Sequence, residues 1–145
     1  MSVVEIRPEL FYRDPTAALA WLERAFGLET ELLVTDPEGR HVFARVTGGV
    51  AIVGEIPGRQ SPASMGGANS QQVVVSLGEG IEAHIERARA AEARIDVELR
   101  REFFGLTYTA ADPEGHLWSF IQATSERSEP PPGWAVRFAN QTADA

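Results

Sequence analysis

The chain contains no cysteine, which removes thiol nucleophiles, disulfide frameworks, zinc fingers and redox pairs from the functions open to it. Any metal site has to be assembled from Asp, Glu and only three histidines. Long apolar runs are missing as well: Val73–Val75 is typical, far short of the roughly 20 residues that cross a bilayer. No membrane span is expected. Positive charge is scarce, with 13 basic residues against 21 acidic ones and a net charge of -8. The arginines stand singly or in pairs such as Arg100–Arg101 and form no basic stripe. A field of that sign repels phosphate backbones and anionic lipid, so nucleic acid is excluded as a partner. Met1 is followed directly by Ser-Val-Val-Glu, without the basic start and apolar stretch of a secretory leader. A cytoplasmic location is expected.

The remaining composition, 145 residues of which 43% are hydrophobic, suits one compact unit or two small halves sharing a core. Residues 3–13 alternate, with Val4, Ile6, Pro8, Leu10 and Tyr12 on one side and Glu5, Arg7, Glu9 and Phe11 on the other, which predicts a strand. Asp14-Pro15 is a helix start, because the carboxylate can accept from the free amides of the first turn and proline is preset for it. Ala18, Trp21, Leu22, Ala25 and Phe26 follow at helical spacing up to Gly27. Strands are expected at 29–35, 41–46 and 50–56. Residues 57–70, rich in Gly, Pro and Ser, read as a mobile linker or a loop over a site.

The pattern then restarts: a strand at 71–77, a helix at 80–93 with Ile81, Ile85 and Ala88 buried, and strands at 95–101, 106–111 and 116–122. This is a duplicated βαβββ unit at an offset of about 65 residues. The tetrapeptide Asp-Pro-Glu-Gly occurs twice, at 36–39 and 112–115. Its copies fall on different turns of the two units, so it is recurrent turn chemistry and not the repeat itself. After Thr124, Trp134, Val136 and Phe138 alternate before a polar end. The tail is either an ordered patch with a frayed terminus or a segment that covers a pocket or a neighbouring subunit.

Paired βαβββ units, a first helix opened by Asp14-Pro15 and closed by Phe26-Gly27-Leu28, and a last strand entered through Asp112-Pro113-Glu114-Gly115-His116-Leu117-Trp118 together resemble the vicinal oxygen chelate superfamily. This is the glyoxalase/bleomycin-resistance/dioxygenase group, and the resemblance spans residues 3–122. It implies an α+β fold in which module 1 (about 3–56), the linker (57–70) and module 2 (about 71–122) make one domain over 1–123. In that fold the modules build a curved, eight-stranded mixed sheet with the helices on its convex face, and residues 124–145 are an extension. It also implies a homodimer and a ligand held in the concave face.

Enzymes of this family place His and Glu metal ligands on the first and fourth strands of each module. Carried over, those positions fall on Arg7, Val53, Gln72 and Ser119, none of which is a usual ligand of a hard divalent cation. No metal and no other cofactor is therefore expected. An alternative ligand set would draw on Glu9, Glu55, His41 and His116, whereas His84, beside the buried helix stripe, reads as structural.

Alternation assigns the concave face to Arg7, Glu9, Phe11, His41, Phe43, Arg45, Ala51, Val53, Glu55, Gln72, Val74, Leu117, Ser119 and Ile121, leaving Trp118 and Phe120 to the core. Arg7 and Glu9 pair with each other or with a ligand; Phe11 and Phe43 stack on a planar ligand or fill the cup. Phe103, Phe104 and Tyr108 are candidates for its rim. Catalytic triads, nucleophile elbows and phosphate-binding glycine loops are absent. The reading that follows is a metal-free, dimeric binder of a small molecule of aromatic or antibiotic-like type, with Arg7, Glu9, Phe11, Phe43, Val53, Glu55, Gln72, Val74 and Ser119 as its ligand-binding residues. The alternatives are a divalent-metal lyase, isomerase or ring-cleaving dioxygenase, and a non-catalytic assembly or regulatory protein.

Overall fold

A computed structural model of the chain describes residues 1–124 and 129–139. Its elements run β1 (Glu9–Tyr12), α1 (Pro15–Phe26), β2 (Thr30–Thr35), β3 (His41–Val46), β4 (Ala51–Gly54), β5 (Gln72–Leu77), α2 (Ile81–Ala90), β6 (Arg94–Glu102), β7 (Gly105–Ala111) and β8 (Leu117–Gln122). The strands form two four-stranded mixed sheets of identical topology, β1-β4-β3-β2 and β5-β8-β7-β6. In each, the first strand runs parallel to the last and the other pairs are antiparallel. The fold is α+β, with eight strands and a helix on one side of each sheet, and the duplicated order is that of the sequence repeat.

Helix α1 is built as its ends dictate. Asp14 accepts from Ala17 N at 3.0 Å, Pro15 opens the first turn, and Gly27 closes it in the left-handed region at φ 71°. Leu28 N then donates to Leu22 O, and the Arg87 guanidinium of α2 donates to the carbonyls of Arg24 and Glu23. Helix α2 has no side-chain cap of its own; Ile81 N donates to Gln122 Oε1 of β8.

The core lies where the two helices meet between the sheets. Leu22, Ala25, Ile81, Ala88, Tyr108, Trp118 and Phe120 are fully buried there. Phe26 stands at its centre, with ring centroids 5.0 Å from Trp21 and 4.8 Å from Phe120. Trp21 Nε1 donates to Ala91 O, which ties the first helix to the end of the second. This arrangement turns the opposite faces of both sheets outward.

Several expectations are corrected in detail. The first strand is confined to Glu9–Tyr12, and residues 1–8 form an exposed arm outside the ladder. Pro8 has no N–H to give to a ladder, although its carbonyl accepts from Ala51 N. Residues 57–70 contain a 3-10 turn at Pro62–Met65 and are fastened to the β7–β8 turn. Ala63 N donates to Glu114 O, and Asn69 Nδ2 donates to Gly115 O. Tyr108 is fully buried in the core and not on a rim, while Phe103 and Phe104 pack edge to face in the β6–β7 hairpin. The polar end, 140–145, lies outside the described residues. Among the described residues, no helix is long and apolar enough to cross a membrane.

Candidate functional site

Strand pairing sorts the outward sheet faces into rows. On the first sheet Phe11 lies opposite Val53, Val53 opposite Phe43, and Phe43 opposite Val34, giving one apolar row across all four strands. The neighbouring row is Glu9, Ala51, Arg45 and Leu32. On the second sheet the rows are Gln72, Leu117, Ala111 and Arg94; Val74, Ser119, Thr109 and Val97; and Ser76, Ile121, Thr107 and Arg100. One face is thus aromatic and aliphatic, and the other carries hydroxyls between aliphatic flanks. Thr109 Oγ1 donates to Ser119 Oγ at 3.2 Å, so these hydroxyls are oriented by each other.

Of the residues expected to bind ligand, Phe11, Phe43 and Val53 are brought together in the first row, and Gln72, Val74 and Ser119 share the second face. Glu9 sits at the exposed start of β1 beside Ala51. Arg7 is in the arm and pairs with Glu5 at 2.5 Å, not with Glu9. Glu55 lies just beyond β4, where its carboxylate accepts from Ser64 Oγ and Ser61 N. Those two bonds, the Ser64 hydroxyl first, hold its carboxyl below the usual range. Glu55 therefore anchors the linker. Trp118 and Phe120 are fully buried, on the core side.

The sequence pattern missed Leu32 and Val34 of β2 and Thr107 and Thr109 of β7. For the threonines a signal was present, because Leu106 and Tyr108 alternate with them. For β2 there was none: Leu32, Leu33 and Val34 are consecutive, and only the pairing with Arg45, Ala44 and Phe43 decides which of them face outward.

The histidines are each committed. His84 Nε2 donates to Phe26 O at 2.9 Å, which leaves Nδ1 to accept from the Tyr108 hydroxyl at 2.6 Å. Burial lowers its pKa, the Phe26 carbonyl opposes that shift, and the Arg87 charge adds to it. His116 Nε2 donates to Phe11 O, with its ring 4.5 Å from that of Tyr12. His41 Nδ1 meets Thr16 Oγ1. Among the described residues no group of three or more His, Asp or Glu side chains is placed to hold a metal ion. Of the four residues expected at metal-ligand positions, Arg7 lies in the arm, Val53 on β4, Gln72 on β5 and Ser119 on β8, and none of these side chains is a usual ligand of a hard divalent cation.

Two hollows adjoin these elements. One of about 360 Å³, lined by Glu9, Phe11, Arg59, Met65, Gln71 and His116 among others, lies between β1, the linker and the start of β5. A larger cleft of about 530 Å³ runs along α1, beside Tyr12, Trp21, Asp112 and Glu114. Its acidic groups are already engaged: Asp14 caps α1, Glu114 accepts from the amides of Arg13 and Asp14, and Asp112 accepts from Tyr12 and Trp118.

A duplicated βαβββ topology, with one face of each sheet turned away from the helices, defines the class. The chain belongs to the Glyoxalase/Bleomycin resistance protein/Dioxygenase superfamily, whose family model matches residues 4–120. Among solved structures it is similar to TioX from Micromonospora sp. ML1, at 31% identity and a TM-score of 0.64 over 84% of this chain and 98% of that one. It shares its fold with TnmS3, an antibiotic binding protein from Streptomyces sp. CB03234 (14% identity, TM-score 0.65, 86% of this chain and 99% of that one). It also shares it with the fosfomycin resistance protein FosX from Listeria monocytogenes in complex with Mn(II) and sulfate (16% identity, TM-score 0.60, 88% and 96%). No curated protein matches the chain.

Proposed function

We propose that this protein binds an aromatic or antibiotic-like small molecule without a metal ion, and does so as a homodimer. The observation that carries this reading is the apolar row Phe11–Val53–Phe43–Val34 on an outward sheet face. Apolar and aromatic walls with a few fixed polar groups are the usual make-up of a small-molecule site. In this reading Phe11 and Phe43 stack on the ligand and Val53 floors the contact. Gln72, Val74 and Ser119 supply the hydroxyl-bearing wall, and Arg7 and Glu9 sit at the margin. Glu55 acts through the linker it holds.

Homodimerisation is supported by the apolar side chains those faces leave exposed, Val34 and Val74, beside the buried Val53 and Ser119. No ladder joins the two sheets among the described residues, and Val74 is 55% exposed. Apolar surface of that kind marks an interaction site, and a second copy can close the two halves around one ligand. The antibiotic binding description of TnmS3 favours the same use of the fold. FosX, solved with Mn(II), marks the alternative chemistry, which the side chains at the four ligand positions here disfavour.

Elemental analysis and titration calorimetry test the reading. The purified protein is expected to carry no stoichiometric divalent metal and to bind at least one of a panel of planar aromatic and cationic compounds saturably. Stoichiometric metal that disappears in Glu9→Ala or Glu55→Ala would overturn it. Light scattering is expected to give twice the chain mass of 15.8 kDa.

A further inference from the structure

The two sheets end in outer strands of opposite character. β6 carries Arg94, Asp96, Glu98, Arg100, Arg101 and Glu102, the charge that keeps an open edge from pairing with another chain. β2 holds one charge, Glu31, and is exposed at all six positions; Leu32, Leu33 and Val34 are 39%, 43% and 44% exposed. Its outer backbone groups join no ladder among the described residues. The ladder is irregular at Thr30/Leu32 and Val34/Thr35 but regular across Leu32–Val34, and an apolar edge of that kind is a template for strand addition.

The tail offers a matching strand. Trp134, Val136 and Phe138 belong to no helix or strand, alternate with Ala135 and Arg137, and are 67%, 57% and 59% exposed. In an extended segment the three share one face. On β2, Leu32 and Val34 likewise share the outward face, opposite Arg45 and Phe43. Five residues at about 3.3 Å each reach about 17 Å, most of the length of a six-residue strand. The Pro130–Pro132 run leads into a turn in which Trp134 N donates to Pro131 O and Gly133 takes a positive φ, and Arg137 brings a second cation to an edge where Glu31 already meets Arg45.

We propose that residues 134–138 of one copy add as a fifth strand to the β2 edge of a second copy, reciprocally, with Trp134, Val136 and Phe138 beside Leu32 and Val34. The occupant is a second copy because the chain's own stripe stays exposed and unpaired with its own β2. Two aromatic side chains per tail, each burying roughly 150–250 Å², and two reciprocal tails cover roughly 600–1,000 Å², the size of a weak interface. Val34 also ends the apolar row of the first sheet, so the added strand borders that face.

The absence of cysteine makes disulfide trapping clean. Single variants Leu32→Cys or Val34→Cys are mixed with Val136→Cys under mild oxidation, since a disulfide forms only where Cα atoms come within about 7 Å. At least one pair is expected to give a mixed disulfide dimer ten-fold or more faster than Val136→Cys with Glu82→Cys, an exposed control on α2. A rate no greater than the control overturns the proposal, and so does closure of the double variant Val34→Cys/Val136→Cys within one monomeric chain. In the cysteine-free chain, changing Trp134, Val136 and Phe138 to Ser is expected to speed amide exchange in β2 at least ten-fold without altering α1. Unchanged β2 exchange overturns it.

Discussion

The Tyr12 hydroxyl donates to Asp112 Oδ2 at 2.5 Å, joining the end of the first strand to a turn 100 residues later. Trp118 Nε1 shares that carboxylate oxygen, while Oδ1 accepts from the amides of Glu114 and His116. Burial pushes the Asp112 carboxyl up despite these donors. Burial and the neighbouring Asp112 charge push the Tyr12 phenol well above its ordinary value.

Removing that donor by Tyr12→Phe leaves a buried carboxylate one partner short. Hydrogen bonds to charged groups contribute about 1.5–3 kcal/mol, and a loss of that size is expected in chemical denaturation. Asp112→Ala is expected to cost more, because two turn amides and the Trp118 indole lose their acceptor as well.

His84 makes the fold sensitive to acid. Its folded pKa lies below the unfolded value of about 6.5, so the unfolded chain takes up the proton first as pH falls. Its contribution is complete above about pH 6.5 and is lost as pH drops toward the folded pKa. Denaturant midpoints measured from pH 8 to 5 are expected to fall, and His84→Gln is expected to flatten that slope.

Gly105 and Gly48 both have positive φ, 140° and 85°, but their surroundings differ. A Cβ at Gly105 would stand 2.3 Å from Gln122 O, whereas one at Gly48 would meet nothing within 4 Å. Gly105→Ala is expected to cost more than about 2 kcal/mol and Gly48→Ala about 1 kcal/mol, as read from thermal midpoints of the two variants.

Phe43 is half-buried at the centre of the apolar row, between Val53 and Val34. Phe43→Ala is expected to weaken aromatic-ligand binding at least ten-fold, which corresponds to about 1.4 kcal/mol, in calorimetric titration. An unchanged circular dichroism spectrum would assign that loss to the contact and not to unfolding.

Local pattern was enough to place both helices, because their caps and apolar stripes are short-range: Asp14, Pro15 and Gly27 act within one turn of α1. It also placed Phe11, Phe43 and Val53 on one face, since strand alternation has a period of two. It overran β1, where the alternating residues 3–8 lie outside the ladder because no neighbouring strand extends to pair with them. It did not reveal the partners of Arg7, Glu55 and Tyr108, because Glu5, Ser61, Ser64 and His84 are chosen by loops and packing.

The two Asp-Pro-Glu-Gly turns divide these contributions. In both, the aspartate Oδ1 accepts from the amides two and four residues on, its own N–H donates to the carbonyl four residues on, and glycine takes a positive φ. The tetrapeptide alone determined that geometry. Yet Asp36 stays near the surface, where the amide of Arg40 leads in holding its carboxyl low, while Asp112 lies beneath Tyr12 and Trp118 and is pushed up. Identical local chemistry acquires opposite electrostatics because desolvation depends on which distant elements close over the carboxylate, and that is decided only when the chain packs.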